Sequence, residues 1–201
     1  IYMAINLQKG QKIDLTKGGG GLRQVMVGLG WDEAEQPRGF FAPKPQPIDC
    51  DASAILCGVN GRIVSNDINQ CCVYFGNLRH SSGAIVHQGD NLTGAGDGDD
   101  EQIIVNLPEV PSNIEKIAFA VTIYEADSRM QNFGMVSNAY IRVVNEDTGE
   151  EIARYDLGED YSTETSMVLG ELYRHNGEWK FNAIGAGYSG GLQALCNGYG
   201  L

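Results

Sequence analysis

The densest chemistry in the chain lies in residues 89–101. Asp90, Asp97, Asp99, Asp100 and Glu101 share this stretch with Asn91 and four glycines. No Lys or Arg occurs between Arg79 and Lys116, so the sequence offers these charges no local counterion. Two unit charges about 4 Å apart repel by roughly 1 kcal/mol even in bulk water. A folded loop that gathers several of them needs a cation or full solvation. Glycine frees the backbone to turn and to aim its carbonyls inward. Carboxylate and carbonyl oxygens together are what a hard cation such as Ca²⁺ selects. The alternative is a solvated acidic loop that holds no ion. Glu101 is the twelfth residue from Asp90, but Leu92, Gly94 and Ala95 break the EF-hand pattern.

A second acidic pair, Asp49 and Asp51, opens an apolar run. Strand periodicity places both on one face at a strand end, where they suit either a cation shared with a nearby loop or a strand cap. Cys50 stands between Asp49 and Asp51, whose charges raise a thiol's pKa and blunt direct chemistry with an oxyanion.

Other motifs carry less. Residues 185–190 match G-x-G-x-x-G, but the chain ends before the strand and acidic residue a dinucleotide site requires. Residues 187–191 match G-x-S-x-G, yet no His follows Ser189. Both read as glycine-rich backbone around a strand end. The five cysteines (50, 57, 71, 72 and 196) form no C-x-x-C pair and share no zinc spacing with His80, His87 or His175. They read as small buried residues in a reducing, cytoplasmic compartment.

The whole chain sets bounds on these sites. At 201 residues it suits one domain that buries its core without disulfides. The domain is expected over residues 3–201, with Ile1 and Tyr2 a remnant ahead of a natural start at Met3. A formal charge of −12 argues against nucleic acid and against anionic membrane surfaces as partners. No stretch resembles a transmembrane span or a secretory leader.

Strands must position the carboxylates. Residues 22–29 alternate and close at Gly30-Trp31-Asp32, and residues 52–59 follow the acidic pair. Residues 102–107 and 116–124 continue the strand pattern after the acidic loop. Hairpins are expected across Asn60-Gly61, across residues 146–149 and across His175-Asn176-Gly177. Residues 167–174 read as the first strand of the last hairpin, but they fit neither period cleanly and also admit a helical turn. Residues 192–196 suit a short helix, and residues 5–17 an edge strand. Residues 24–29 echo residues 102–107, as a duplication into two sheet halves or chance would produce. Many short strands at regular spacing predict an all-β fold, an antiparallel β-sandwich with short helical segments.

Several blocks together resemble the TerD-type tellurite-resistance and chemical-stress proteins. They are Leu7-Gln8-Lys9-Gly10, Gly28-Leu29-Gly30-Trp31-Asp32, Asp49-Cys50-Asp51-Ala52-Ser53-Ala54 and the loop at 89–101. Further on come Gln131-Asn132-Phe133-Gly134, Asn138-Ala139-Tyr140-Ile141-Arg142, Gly170-Glu171-Leu172-Tyr173-Arg174 and Trp179-Lys180-Phe181. The resemblance implies a cytoplasmic bacterial stress-response β-sandwich that binds Ca²⁺, two ions by expectation, and is not an enzyme. Carried over by position, the ligand candidates are Asp49, Asp51, Asp90, Asn91, Asp97, Asp99, Asp100 and Glu101, with Asp32 beside them. It also implies partners among other Ter-type proteins and a membrane-embedded protein, without insertion of this chain. The competing expectation is a metal-dependent enzyme acting on phosphoester or nucleotide substrates, for which the acidic cluster would hold Mg²⁺ or Ca²⁺.

Overall fold

Period-two alternation shapes most of the molecule, as β7 illustrates: Glu101, Ile103 and Val105 are buried while Gln102, Ile104 and Asn106 are half-exposed. The computed structural model describes residues 4–16, 21–33, 46–89, 98–158 and 161–201. The first strands are β1 (Ile5–Asn6), β2 (Lys12–Asp14), β3 (Gln24–Glu33) and β4 (Cys50–Cys57). Then follow β5 (Cys72–Val73), β6 (Ile85–His87), β7 (Glu101–Asn106) and β8 (Lys116–Ile123). The last are β9 (Val136–Asn145), β10 (Glu150–Asp156), β11 (Ser166–His175) and β12 (Glu178–Tyr188). Short helices α1 (Ile68–Cys71), α2 (Ala126–Arg129) and α3 (Leu192–Gly198) decorate the strands. Among the described residues, no helix is long and apolar enough to cross a membrane.

The strands form two sheets, ordered β1-β10-β9-β3-β7-β6 and β2-β12-β11-β8-β4-β5. All pairings are antiparallel except β1 with β10. Leu29, Ile103 and Ile141 from the first sheet meet Leu56, Phe119 and Phe181 from the second in one continuous core. This is the all-β sandwich that the strand spacing predicts. A smaller cluster covers the outer face of the second sheet, where Leu195 and Cys196 of α3 lie on Ile55, Cys57, Ala118 and Ala120.

Three local expectations change, and one open alternative is decided for the strand. The strand expected to close at Gly30 runs on through Glu33, with a register shift against β9 between Gly30 and Asp32. Residues 167–174 form a strand and not a helical turn; a shift between Val168 and Gly170 breaks their alternation against both neighbours. Residues 5–17 supply two short edge strands, one to each sheet. The echoing segments of β3 and β7 are antiparallel neighbours in one sheet, with Gln24 opposite Asn106, so they do not occupy matching places in two sheets. The G-x-G-x-x-G motif falls on the end of β12, where Gly185 has φ of +59° and its hydrogen faces the Tyr155 hydroxyl.

Candidate functional site: carboxylates where the two sheets meet

The acidic triplet 99–101 splits three ways around the first sheet. Glu101 points inward with Ile103 and Val105 and is only 2% exposed. It reaches the second sheet, where its Oε2 accepts the Ala52 N–H at 2.5 Å. The edge strand β5 covers only Ala54 and Ile55 of β4, so the carboxylate serves the backbone beyond its reach. His87 Nε2 lies 3.2 Å from the same oxygen. His87 Nδ1 accepts the Gly89 N–H at 3.1 Å, so the ring proton sits on Nε2 and is donated to Glu101. A buried acid thus takes donors from both sheets.

Asp100 lies at the strand end itself. Its N–H donates to the Leu29 carbonyl, and its Oδ2 accepts the Trp31 N–H at 2.7 Å. Trp31 is the residue skipped by the register shift in β3, and Asp100 takes up its amide. Burial raises the Asp100 pKa against the pull of that hydrogen bond, and the charges of Asp32 and Asp99 raise it further.

Asp99 lies over the outer face, where its side chain is fully buried. Arg142 grips it with two nitrogens, Nε to Oδ1 at 2.7 Å and Nη2 to Oδ2 at 2.9 Å. The Tyr140 hydroxyl and Gln102 Nε2 each add a bond at 3.0 Å. The absence of Lys and Arg near this acid in sequence is therefore corrected by the fold, since β9 delivers Arg142 from 43 residues away. Two glycines make room. A Cβ on Gly28 would collide with the Asp99 carboxylate, and one on Gly30 with the Tyr140 ring. Arg154 stacks on that ring with its guanidinium carbon 3.6 Å from the centroid. The Tyr140 hydroxyl is pushed up to about 12, by burial first and then by Asp99.

Asp49 and Asp51 approach from the second sheet. Asp51 is 8% exposed and sits opposite Thr122 of β8. Asp49 precedes β4, takes the Tyr124 N–H on its carbonyl, and lies 3.8 Å from Arg129 Nη1. It also lines a pocket of about 540 Å³ with Gln46, Pro47, Glu125, Ser128 and Arg129. Cys50 reports on the whole group. Its thiol is raised well above the ordinary range by burial, and then by Asp51, Asp49, Glu101 and Asp100 in that order. The sequence attributes this shift to the flanking acids; burial is the larger cause.

Asp49, Asp51, Asp100 and Glu101 thus all act electrostatically on one buried thiol. Asp32 stands further out, its Oδ2 accepting Asn138 Nδ2 at 2.8 Å, and acts on Asp100 through space. Asp90, Asn91 and Asp97 lie outside the described residues. Among the described residues, no three His, Cys, Asp or Glu side chains already stand in metal-coordinating geometry. The donor chemistry, oxygen throughout, fits a hard divalent cation and not a soft one. Sequence reasoning missed His87, Arg142 and Tyr140. Only the Asn138–Arg142 block hinted at the last two, and its physical role becomes visible only in the register of β9 on β3.

Comparison with known proteins agrees with this architecture. The sequence model of the TerD domain matches residues 3–199. General stress protein 16U of Bacillus subtilis (strain 168) is 53% identical over 200 residues, spanning 99% of this chain and 98% of that protein. The tellurium resistance protein TerD of Serratia marcescens is 49% identical over 199 residues, with coverage of 99% and 98%. A crystal structure of a homologue of telluride resistance protein from Streptomyces coelicolor A3(2) superposes with a TM-score of 0.64 at 22% identity. It covers 88% of this chain and 96% of its own, and so speaks to the fold.

Proposed function

The chain belongs to the TerD family of tellurium-resistance and stress-response proteins, and from that premise we propose that it is a cytoplasmic, non-enzymatic Ca²⁺-binding module. The observation that carries this reading is the buried Glu101 carboxylate of the first sheet bonded to the Ala52 amide of the second, next in the chain to the buried Asp51, with Asp100 beside it at the strand end. Buried carboxylates in one another's field are costly unless a cation joins them. Ca²⁺ accepts six to eight oxygens in flexible geometry, so it tolerates ligands from two sheets and a glycine-rich loop. Asp51 and Asp49 would supply oxygens from the second sheet, and Asp100 and Glu101 from the first. Asp90, Asn91 and Asp97 complete the proposed set for one or two ions.

Roles differ within the acidic triplet. Asp99, committed to Arg142, Tyr140 and Gln102, positions the loop end against β3 and β9. His87 and the Ala52 amide fix one oxygen of Glu101, which orients the carboxylate toward the second sheet. When bound, the ion supplies positive charge that relieves repulsion and ties the two sheets at one end. The surface ordered in this way would be the one a Ter-type or membrane-embedded partner reads.

The test is calorimetric titration of the chelator-stripped protein with Ca²⁺ and then with Mg²⁺, paired with melting curves. Saturable Ca²⁺ binding that raises the melting temperature, lost in Asp51→Asn/Glu101→Gln, is expected. Absence of Ca²⁺ binding refutes the module, and preference for Mg²⁺ moves the metal-dependent enzyme ahead of it.

A further inference from the structure

The pocket of about 540 Å³ that Asp49 lines holds a cation the carboxylate site does not use. Arg129 ends the four-residue helix α2 and forms part of the pocket wall. Its guanidinium carbon lies 5.0 Å from the centroid of the Tyr124 ring, which supports one face of the plane. The side chain is 23% exposed, and its two ion pairs are long. Nη1 stands 3.8 Å from Asp49 Oδ2, and Nε stands 3.5 Å from Glu125 Oε2. Arg142, by comparison, grips Asp99 at 2.7 and 2.9 Å. Charge-assisted bonds close to about 2.7–2.9 Å, so the Arg129 fork is positioned but not committed.

The backbone that carries Arg129 is strained. Glu125 and Met130, on either side of α2, are both left-handed, with φ of +50° and +53°. Neither is Gly, Asn or Asp, which enter this region readily, and such outliers cluster at binding sites. The turn is tied down within itself. Ser128 Oγ donates to the Glu125 carbonyl at 3.0 Å, and the Gln131 N–H donates to the Ala126 carbonyl at 2.9 Å. Ala126 is packed in the core. The same turn fixes another stretch of the wall: Gln131 is 7% exposed, and its Nε2 donates to the Gln46 and Pro47 carbonyls at 3.1 and 3.2 Å. The guanidinium is therefore presented by a rigid frame.

Building on the Ca²⁺ reading above, we propose that this pocket binds a phosphate monoester, held by Arg129 and by the ion that Asp49 helps to bind. Asp49 belongs both to the pocket wall and to the proposed ligand set, so an ion on Asp49 borders the pocket. Without the ion, Arg129 faces the carboxylates of Asp49 and Glu125, and an anion is repelled. With it, the charge of Asp49 is neutralised, its pull on Arg129 weakens and the balance turns positive. Glu125 is 53% exposed, so water and salt screen its charge. A phosphate monoester is a dianion with three free oxygens, enough to meet the two-pronged guanidinium and a hard cation together. A carboxylate has only two and cannot satisfy both in the same way. The volume of the pocket leaves room for the organic group the phosphate carries.

Calorimetric titration of the full chain with phenyl phosphate tests this, with Ca²⁺ present and then in chelator. Association of Ca²⁺ with phenyl phosphate in buffer alone is subtracted. Saturable binding is expected only with Ca²⁺, and phenyl phosphate should tighten Ca²⁺ by the same factor that Ca²⁺ tightens phenyl phosphate. Benzoate should bind at least about tenfold more weakly, and Arg129→Gln should weaken phenyl phosphate at least about tenfold. The affinity of Arg129→Gln for Ca²⁺ alone should rise, because a competitor for Asp49 is gone. On the wild type, the backbone amide resonances of Ser128 and Arg129 should shift as phenyl phosphate is added, which locates the ligand even if the variant fails to fold. Ca²⁺ binding without phenyl phosphate binding overturns the proposal and leaves the Ca²⁺ module standing. Equal binding in chelator, equal binding of benzoate, or shifts confined to other residues overturn it as well. Absence of Ca²⁺ binding removes both.

Discussion

Replacing Arg142 by Met isolates the contact that most determines where the acidic triplet sits. The Asp99 side chain is fully buried and takes four donors, two of them from Arg142 at 2.7 and 2.9 Å. Methionine keeps much of the packing but removes both charge-assisted bonds, each of which contributes about 1.5–3 kcal/mol. Losing one member of a fully buried pair costs about 3–5 kcal/mol, because the other charge stays behind. Two features lower that figure. Arg142 is 27% exposed, so part of its charge is already screened, and the Tyr140 and Gln102 bonds to Asp99 survive. The second ion pair, Arg142 to Glu151 at 3.0 Å with both side chains 27% exposed, adds at most about 1 kcal/mol. The expected loss is about 3 kcal/mol, read by urea unfolding in chelator; for a chain of this size that lowers Tm by about 6–12 °C. Adding Asp99→Asn to Arg142→Met should recover a substantial part, because the stranded charge disappears. A cost below about 1 kcal/mol, or strictly additive effects of the two changes, would refute the assignment of Arg142 as the counterion of Asp99.

Other outcomes follow from the same contacts. Gly28→Ala forces a methyl group against the Asp99 carboxylate, which Arg142 prevents from swinging aside, so a loss of about 1–3 kcal/mol is expected in urea unfolding. His80 has its pKa lowered from the usual 6.5, by burial. The unfolded chain therefore binds this proton more readily, so the stabilisation is complete above the unfolded value and declines as pH falls toward the folded one. Unfolding measured from pH 7.5 down to 5 should show that decline, and His80→Asn should flatten it. Withdrawal of Ca²⁺ by chelator should lower the melting temperature of the wild type and leave Asp51→Asn/Glu101→Gln unmoved.

Much of the scaffold was legible in the residues because alternation at period two leaves little choice of face. Residues 116–124, the hairpin across 146–149 and the short helix from Leu192 all stand where their patterns place them. The pattern failed where a register shift breaks the alternation, as at Val168 and Gly170 in β11. A bulge inserts a residue without changing composition, so periodicity alone reads such a strand as ambiguous. The acidic residues were likewise easy to find and hard to sort. Sequence spacing treats Asp99, Asp100 and Glu101 as equivalent donors, whereas the sheet sends one outward, one along its edge and one inward. Arg142 was invisible as a partner because its proximity depends on β9 lying opposite Gly28, a long-range fact.

The same three-way split explains why the glycines of residues 28–32 belong with the acids and not merely with a turn. Gly28 accepts the Asp99 carboxylate on its surface, and Gly30 accepts the Tyr140 ring that donates to that carboxylate. Trp31, between them and Asp32, turns inward, and its amide is held by Asp100. One face of β3 is therefore a mould for the end of the acidic loop, while its other face is core. Once Asp99 and Asp100 are locked against that mould, Glu101 has a single direction left, across the sandwich to the Ala52 amide. A cation bound beside Glu101 would act on a carboxylate whose position is already fixed by two sheets. Ligand ordering is then confined to the loop and to the Asp49–Asp51 side, so affinity should respond far more to changes there than to changes in the mould. Gly28→Ala, by contrast, disturbs the fixed side, so it should lower stability while changing Ca²⁺ affinity far less than Asp51→Asn does.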